Sequence, residues 1–328
     1  MNNLNDYDTI FISYDEDNAE ENWADLLQKV PWAKRVHGVH GSDAAHKAAA
    51  ELSETDMFIS VDADNIIDNA FFDQSFNFSD SKIKGKALSW GARNHINGLQ
   101  YGNGGLKLWP KQYVLDMRTH EAADPDDISN QVDFCWEDSY VQMNNVFCTT
   151  YPNGSPRQAF RAGFREGVKM SLDQGEKVIP EDFNKCIWDG NIKRLLTWSS
   201  VGADVENGLW AIYGTRLGCY MTNLTSWDFL NVRDFEYINT MWNDDVKHNF
   251  TGKRDDMRCY KTGYTWNEYT LLNSIKDLGD KLRKGLLINV AELDETQSKF
   301  FKATYTAPPR MNKMVTEEEY LRLRSMNE

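Results

Sequence analysis

The sequence lacks several features that mark specialised classes of protein. No run approaches the roughly 20 apolar residues that a membrane span needs. The start of the chain is neither basic nor apolar, so we expect neither a membrane anchor nor a secretory signal. The five cysteines are far apart, odd in number and never in a C-x-x-C pair. We therefore expect a cytoplasmic protein without a disulfide framework or a zinc ribbon.

Positive charge is scarce in one half of the chain. Residues 1–150 hold 11 Lys and Arg against 25 Asp and Glu, whereas residues 151–328 hold 25 of each. The net charge of −14 therefore belongs to the first half. A chain that binds a polyanion through its bulk charge has the opposite balance. An anionic partner must be met by a local basic patch or through a bound cation.

The first half alternates between strand-like and helix-like hydrophobic patterns. β-rich runs at 9–14, 35–40 and 56–61 surround a helical stretch at 18–30 and an Ala-rich helix that Ser42 or Asp43 caps. This alternation predicts an α/β fold with a mixed, mostly parallel sheet flanked by helices. Ligands bind at the carboxyl ends of the strands in such sheets.

The second half has a helical character. Ser155 followed by Pro156 is a helix start, and further helices are predicted over 184–220 and 266–284. These patterns predict two domains, with a nucleotide-binding core at 1–150 and a mainly helical part at 151–328. The sequence leaves the oligomeric state open.

Two carboxylates one residue apart follow the third strand. Asp62 and Asp64 stand at the end of a hydrophobic run, where they can hold a hard divalent cation such as Mn²⁺ or Mg²⁺. The alternative is an ordinary acidic turn. The strands and helices that precede the pair favour the metal site.

With this D-x-D motif, residues 8–150 resemble the GT-A glycosyltransferases, which use nucleotide-sugar donors. The resemblance implies that Asp62 and Asp64 hold the metal on the donor diphosphate. It also implies that 10–14 and 40–47 lie at the donor site. The expected donor-binding residues are Ser13, Tyr14, Asp15, His46, Lys47 and Asp62. Gly104 and Gly105, in a predicted loop at 102–105, either shape the sugar or acceptor pocket or form a hairpin turn.

The resemblance also implies a catalytic base and a third metal ligand. The family carries a later acidic motif, which Glu137 and Asp138 match, and a carboxylate there would deprotonate the acceptor hydroxyl of an inverting enzyme. A surface acidic pair is the alternative. Many family members add a C-terminal histidine as a metal ligand, and His248 is the candidate because it is the only histidine after residue 120; the alternative is an exposed loop residue.

Two basic features in the second half are typical of nucleic-acid binding. Arg157, Arg161, Arg165 and Lys169 recur every four residues, and Lys253, Arg254 and Arg258 lie among aromatic residues. A solvated helix face is the alternative reading of the first group. The chain also resembles bacteriophage transferases that add glucose or arabinose to 5-hydroxymethylcytosine in DNA. That resemblance implies a UDP-sugar donor, a DNA acceptor and a place in the cytoplasm of an infected bacterial host.

Four hypotheses follow from these patterns. The first is a DNA-modifying glycosyltransferase. The second is a GT-A enzyme that acts on a glycan, a lipid-linked sugar or a protein. A nucleotidyltransferase is disfavoured because the loop after the first strand is acidic rather than Gly-rich and basic. A non-catalytic phage protein, in which the D-x-D has no chemical role, is the fourth.

Overall fold

The chain forms an α/β protein with a mixed sheet. The computed structural model describes residues 2–118, 140–250 and 266–308. These residues fall into two compact units. The first unit comprises the described residues up to Pro152 together with residues 305–308, and the second is Asn153–Thr304.

The first unit contains strands and three helices within its described residues. The strands are β1 (Asn2–Asn3), β2 (Asp8–Ser13), β3 (Lys34–His37), β4 (Met57–Asp62), β5 (Asn65–Ile67), β6 (Ser75–Phe76), β7 (Ala87–Asn94), β8 (Gln100–Pro110) and β9 (Tyr140–Thr150). The helices are α1 (Ala19–Lys29), α2 (Ser42–Leu52) and α3 (Lys111–Asp116). Seven strands form one sheet in the order β3-β2-β4-β8-β7-β9-β5, and β1 pairs with β6.

The predicted α/β fold with a mixed sheet is confirmed, but the sheet is not mostly parallel, because three of its six strand pairs are antiparallel. Strand β2 is parallel to β3 and β4, and β7 is parallel to β9. The pairs β4/β8, β7/β8 and β5/β9 are antiparallel. The antiparallel pairing of β7 with β8 follows from their short connection, in which Gly98 has a φ of +76°. A short turn joins antiparallel neighbours, because parallel neighbours need a crossover of about a dozen residues.

Successive side chains of the central strands bury themselves on opposite faces of the sheet. On one face, Phe11, Ile59 and Val61 pack into a cluster with Leu26 of α1. On the other, Ile10, Phe58 and Trp109 pack with Ala49 and Ala50 of α2. Because side chains alternate along a strand, Ser60, Asp62 and Lys107 lie on the face that α2 covers.

The second unit is helical. Its helices are α4 (Pro156–Lys169), α5 (Phe183–Cys186), α6 (Asp189–Trp198), α7 (Gly208–Leu224), α8 (Phe235–Met241), α9 (Lys247–Phe250), α10 (Trp266–Gly285) and α11 (Glu295–Thr304). The predicted start of α4 is confirmed, since Ser155 Oγ accepts a hydrogen bond from Gln158 N at 3.1 Å. Across the described ranges, no helix is both long and apolar enough to cross a membrane.

Helices α4 and α7 approach each other closely through glycines. A Cβ built on Gly163 would lie 2.0 Å from Ala211 O, and one on Gly167 would lie 2.2 Å from Thr215 O. On the facing helix, Gly214 and Gly218 contact the backbone of α4 in the same way. Only glycine allows the two helix backbones to come this close, so these four positions determine the distance between α4 and α7.

Candidate functional site

Three parallel strands of the first unit end side by side. Ile12 is paired with Asp62, and Ser13 is paired with His37, so the ends of β2, β3 and β4 form one edge of the sheet. We call this the carboxylate edge, and it comprises residues 13–15, 37 and 62–65. The edge is the place where an α/β sheet binds ligands.

Ser13 is a buried part of the carboxylate edge and joins two strands. Arg35 Nε donates to Ser13 Oγ at 2.9 Å, and Ser13 Oγ lies 2.9 Å from His37 Nδ1. The guanidinium of Arg35 also lies over the Phe11 ring. Ser13 is only 3% exposed, and its hydroxyl links β2 to β3 through these two contacts.

Tyr14 is an exposed aromatic side chain at this edge. It is 42% exposed, and its ring meets the edge of the His40 ring at a centroid distance of 5.9 Å. Its backbone N–H donates to Glu16 Oε2 at 2.8 Å, which holds the turn after β2. Asp15 follows at a half-buried position. The Tyr14 ring is therefore available for a flat ligand to stack on.

Asp62 and Asp64 differ in how they are held. Asn65 Nδ2 donates to Asp64 Oδ1 at 2.6 Å, and Thr150 Oγ1 donates to Asp64 Oδ2 at 2.9 Å. The backbone of Tyr151 also donates to Asp64 O at 2.7 Å. Asp62 is half-buried, and none of the described residues gives its carboxylate a hydrogen bond. Asp64 is therefore fixed, whereas Asp62 keeps its lone pairs for a ligand.

Gly104 and Gly105 lie within β8, so the prediction of a loop at 102–105 is wrong. A Cβ on Gly105 would lie 2.5 Å from Asp62 Cβ and 2.4 Å from Asn65 Nδ2. A Cβ on Gly104 would lie 2.9 Å from Ala92 Cβ. Glycine serves here for close approach between strands rather than for a turn. Gly105 thus adjoins the carboxylate edge, whereas Gly104 lies against β7.

His46 and Lys47 occupy α2, and they behave differently. His46 is 7% exposed, and its Nδ1 lies 2.8 Å from Ser42 O. Burial lowers the pKa of His46; the Asp62 carboxylate opposes this shift and the Lys107 ammonium adds to it. The imidazole is therefore neutral near pH 7. Lys47 forms an ion pair with Asp43 at 2.7 Å within the same helix.

The donors at the carboxylate edge fit the hard cation that the family resemblance implies. Of the side chains in the described ranges, no three from His, Cys, Asp and Glu come together as a metal cluster. However, the Asp62 carboxylate is open, and Asn65 Oδ1 is buried with no hydrogen-bond partner in that same part of the chain. Mn²⁺ and Mg²⁺ favour oxygen ligands of this kind, and Mg²⁺ completes its shell with water and phosphate oxygens. The residues present therefore fit such an ion.

The basic residues of α4 lie along one half-buried side of the helix. Arg161 and Arg165 lie over the ring of Phe235, at 5.4 and 4.6 Å from its centroid. Arg157 Nη1 donates to Asn239 Oδ1 at 3.5 Å, and Lys169 is 3.7 Å from a Glu166 oxygen. The structure thus brings the four cations together, and they share their side of the helix with α8.

Several predicted residues fall outside what the structure describes. His248 belongs to α9 of the second unit, and its side chain is not described. The remaining positions, outside the described residues altogether, are Glu137, Asp138, Lys253, Arg254 and Arg258.

Three residues at or beside the carboxylate edge are not among those predicted from the sequence. Asn65 directly follows Asp64, and it could have been found because amides often accompany carboxylates in metal sites. Thr150 and Lys107 carry no such signal. Thr150 is 86 residues from Asp64 in the chain. Lys107 meets the edge only through the pairing of β4 with β8.

Comparisons with known proteins identify no family. No family model matches the chain, and no curated protein sequence matches it. Among solved structures, the chain is similar to the crystal structure of HddC from Yersinia pseudotuberculosis, with a TM-score of 0.21 and 13% identity. The match covers 34% of this chain and 80% of that one. A similarity this low carries no argument about fold or function.

Proposed function

We propose that the chain is a metal-dependent glycosyltransferase with a GT-A-like first unit and a nucleotide-sugar donor, most simply UDP-glucose or UDP-arabinose. The observation that carries this proposal is the difference between Asp62 and Asp64. One carboxylate is open and the other is fixed by Thr150 and Asn65, at the edge where an α/β sheet binds ligands. An ordinary acidic turn needs no such support.

The rest of the carboxylate edge suits a nucleotide diphosphate. The exposed Tyr14 ring offers a stacking surface for the base. Asp62, Asp64 and Asn65 would hold Mn²⁺ or Mg²⁺, with Asp64 kept in one orientation by its two side-chain hydrogen bonds. When bound, the metal supplies Lewis-acid stabilisation of the departing diphosphate. Gly105 leaves the space that Asp62 needs beside β8.

The acceptor in this proposal is the hydroxymethyl group of a modified cytosine in phage DNA. The basic side of α4 supports it, because Arg157, Arg161, Arg165 and Lys169 line one face at half-exposed positions. That hydroxyl would attack the anomeric carbon of the donor, and Glu137 or Asp138 remains the predicted base. The 5-substituent of cytosine faces the major groove of duplex DNA, where it can be reached directly or after base flipping.

Donor binding tests the enzymatic part of the proposal. Calorimetry with UDP and GDP, each with and without Mn²⁺, should show metal-dependent binding of one nucleotide. Asp62→Asn should abolish that binding, whereas Asp73→Asn, an exposed acid, should leave it unchanged. Binding of no nucleotide by the wild-type protein would reject the transferase.

The acceptor is tested separately, with the donor that the first experiment identifies. Transfer of labelled sugar should occur to hydroxymethylated DNA and not to the same duplex with plain cytosine. Both single-stranded and duplex forms should be assayed. Transfer to a glycan, a lipid-linked sugar or a protein instead would keep the glycosyltransferase and replace the acceptor.

A further inference from the structure

A buried lysine lies next to the carboxylate edge. Lys107 of β8 is 4% exposed and stands opposite Ser60 of β4 and Ser89 of β7. Its Nζ donates to Gly104 O at 3.0 Å. The ammonium therefore turns along β8 toward the glycines and not toward the far end of the strand.

The ammonium of Lys107 lacks a counter-ion within the described ranges. Among the described residues, its hydrogen-bond partner is the neutral carbonyl of Gly104, and no carboxylate there forms an ion pair with it. An ammonium has three N–H groups, so two remain after the bond to Gly104. Because a buried charge is costly unless it is paired, this arrangement calls for an anion.

Ser89 adds a second donor beside the lysine. The serine is fully buried, and its Oγ has no hydrogen-bond partner among the residues that the structure describes. Directly opposed residues of antiparallel strands have Cβ atoms about 5 Å apart. A hydroxyl and an ammonium thus lie together on one face of the sheet, and both can donate to anionic oxygens.

The register of β4 and β8 places this pair of donors near Asp62. Gly105, two residues before Lys107, is the residue whose Cβ would lie 2.5 Å from Asp62 Cβ. The Lys107 ammonium donates to the carbonyl of Gly104, the residue just before Gly105. The charges of Asp62 and Lys107 both act on the pKa of His46, in opposite directions.

We propose that Lys107, assisted by Ser89, is an anion-binding residue that makes the carboxylate edge take a divalent cation together with a diphosphate rather than alone. This inference rests on the proposed function for the identity of the ligand. Two carboxylates attract a cation, and the nearby ammonium opposes it. The same ammonium attracts phosphoryl oxygens, so a metal diphosphate satisfies all three charged groups.

The proposal predicts that loss of the Lys107 charge changes the affinities for Mn²⁺ alone and for pyrophosphate in opposite directions. Lys107→Met should bind Mn²⁺ alone about tenfold more tightly than the wild type, because the opposing charge is gone. It should bind pyrophosphate in the presence of Mn²⁺ about tenfold more weakly. A loss of packing alone would weaken both. Lys111→Met is the matched control, since Lys111 is a half-buried lysine near the end of β8 that also donates to a carbonyl, Ser53 O, at 2.7 Å.

Manganese binding is measured by electron paramagnetic resonance and pyrophosphate binding by calorimetry. Ser89→Ala is the second variant, because it removes an unpartnered hydroxyl and leaves the charges in place. It should weaken pyrophosphate binding several-fold and leave binding of Mn²⁺ alone unchanged. Equal pyrophosphate affinity in Ser89→Ala and in the wild type, or a fall in both affinities in folded Lys107→Met, overturns the proposal.

Pyrophosphate also separates this inference from the proposed function. If the wild type binds pyrophosphate with Mn²⁺ through Lys107 but binds no nucleotide, the nucleotide-sugar transferase fails and the anion site stands. If the wild type binds nucleotides and Lys107→Met binds them equally well, the transferase stands and the anion site fails. Absence of any pyrophosphate binding by the wild type rejects the anion site.

Discussion

Gly105 lies directly against Asp62, so that a Cβ on the glycine would stand 2.5 Å from Asp62 Cβ. Gly105→Ala should therefore push Asp62 out of place and abolish metal-dependent nucleotide binding. Calorimetry with UDP and Mn²⁺ measures the effect. Gly85→Ala is the control, because its Cβ would meet no atom within 4 Å but its φ of +68° strains the backbone. That variant should lose stability and keep its binding. Normal binding by Gly105→Ala would refute the close-approach argument.

The hydroxyl of Thr150 orients Asp64. Thr150→Val keeps the shape of the side chain and removes the hydrogen bond to Asp64 Oδ2. Because loss of a group that orients a metal ligand costs about 10–100-fold in affinity, we expect Mn²⁺ binding in the presence of UDP to weaken by that factor. Thr150→Ser restores the donor and should restore the affinity. Equal weakening in both variants would assign Thr150 a packing role only.

Buried His46 should make the first unit sensitive to acid. Its pKa is lowered in the folded state from 6.5, so below pH 6.5 the unfolded chain binds a proton that the folded chain refuses. As the pH is lowered from 6.5 toward the pKa of the folded state, the free energy of unfolding should therefore fall by about 1.4 kcal/mol per pH unit. The charged groups that face His46 are Asp62, Asp43 and Lys107.

Urea unfolding at pH 7.5 and at pH 5.5 measures this dependence. His46→Gln should lose less stability than the wild type between these two values, because it cannot titrate. Other histidines contribute equally to both proteins, so the difference between them isolates His46. Identical pH dependence in the two proteins would contradict a shifted His46.

The glycines between α4 and α7 should decide the stability of the second unit. Gly163→Ala would bring a Cβ to 2.0 Å from Ala211 O, and backbone cannot yield as a side chain does. We expect a loss of about 1–3 kcal/mol, measured by urea unfolding. In Gly190→Ala the atoms nearest to the new Cβ belong to the ring of Trp188, an exposed side chain that can shift more easily than backbone. That control should cost less than 1 kcal/mol, and a similar cost for both variants would weaken the argument.

Helices and strands with a strong local sequence pattern could be predicted from the sequence. The runs that form β2 and β4 are mostly apolar, and acidic residues mark the end of β4, so the sequence places Asp62 and Asp64 at that edge. The cap formed by Ser155 was found because Pro156 follows it. In each case the information lies within a few neighbouring residues.

The residues that pairing brings together could not be predicted in this way. Glycines 102–105 suggest a turn by composition, yet their place in β8 follows from the space that Asp62 and Ala92 require. Lys107 resembles any lysine in a strand until its partners Ser60 and Ser89 are known. The antiparallel order beyond β4 depends on the same long-range pairing.

The hydrogen bond between Thr150 and Asp64 has a consequence for the acidic motif itself. Residues 57–65 grafted onto the end of a strand in another protein would carry both carboxylates. They would leave behind the hydroxyl of Thr150, the N–H of Tyr151 and the empty space beside Gly105. The acidic pair therefore cannot be transferred with its own segment alone, because only the hydrogen bond from Asn65 would move with it and the other supports lie more than 40 positions away.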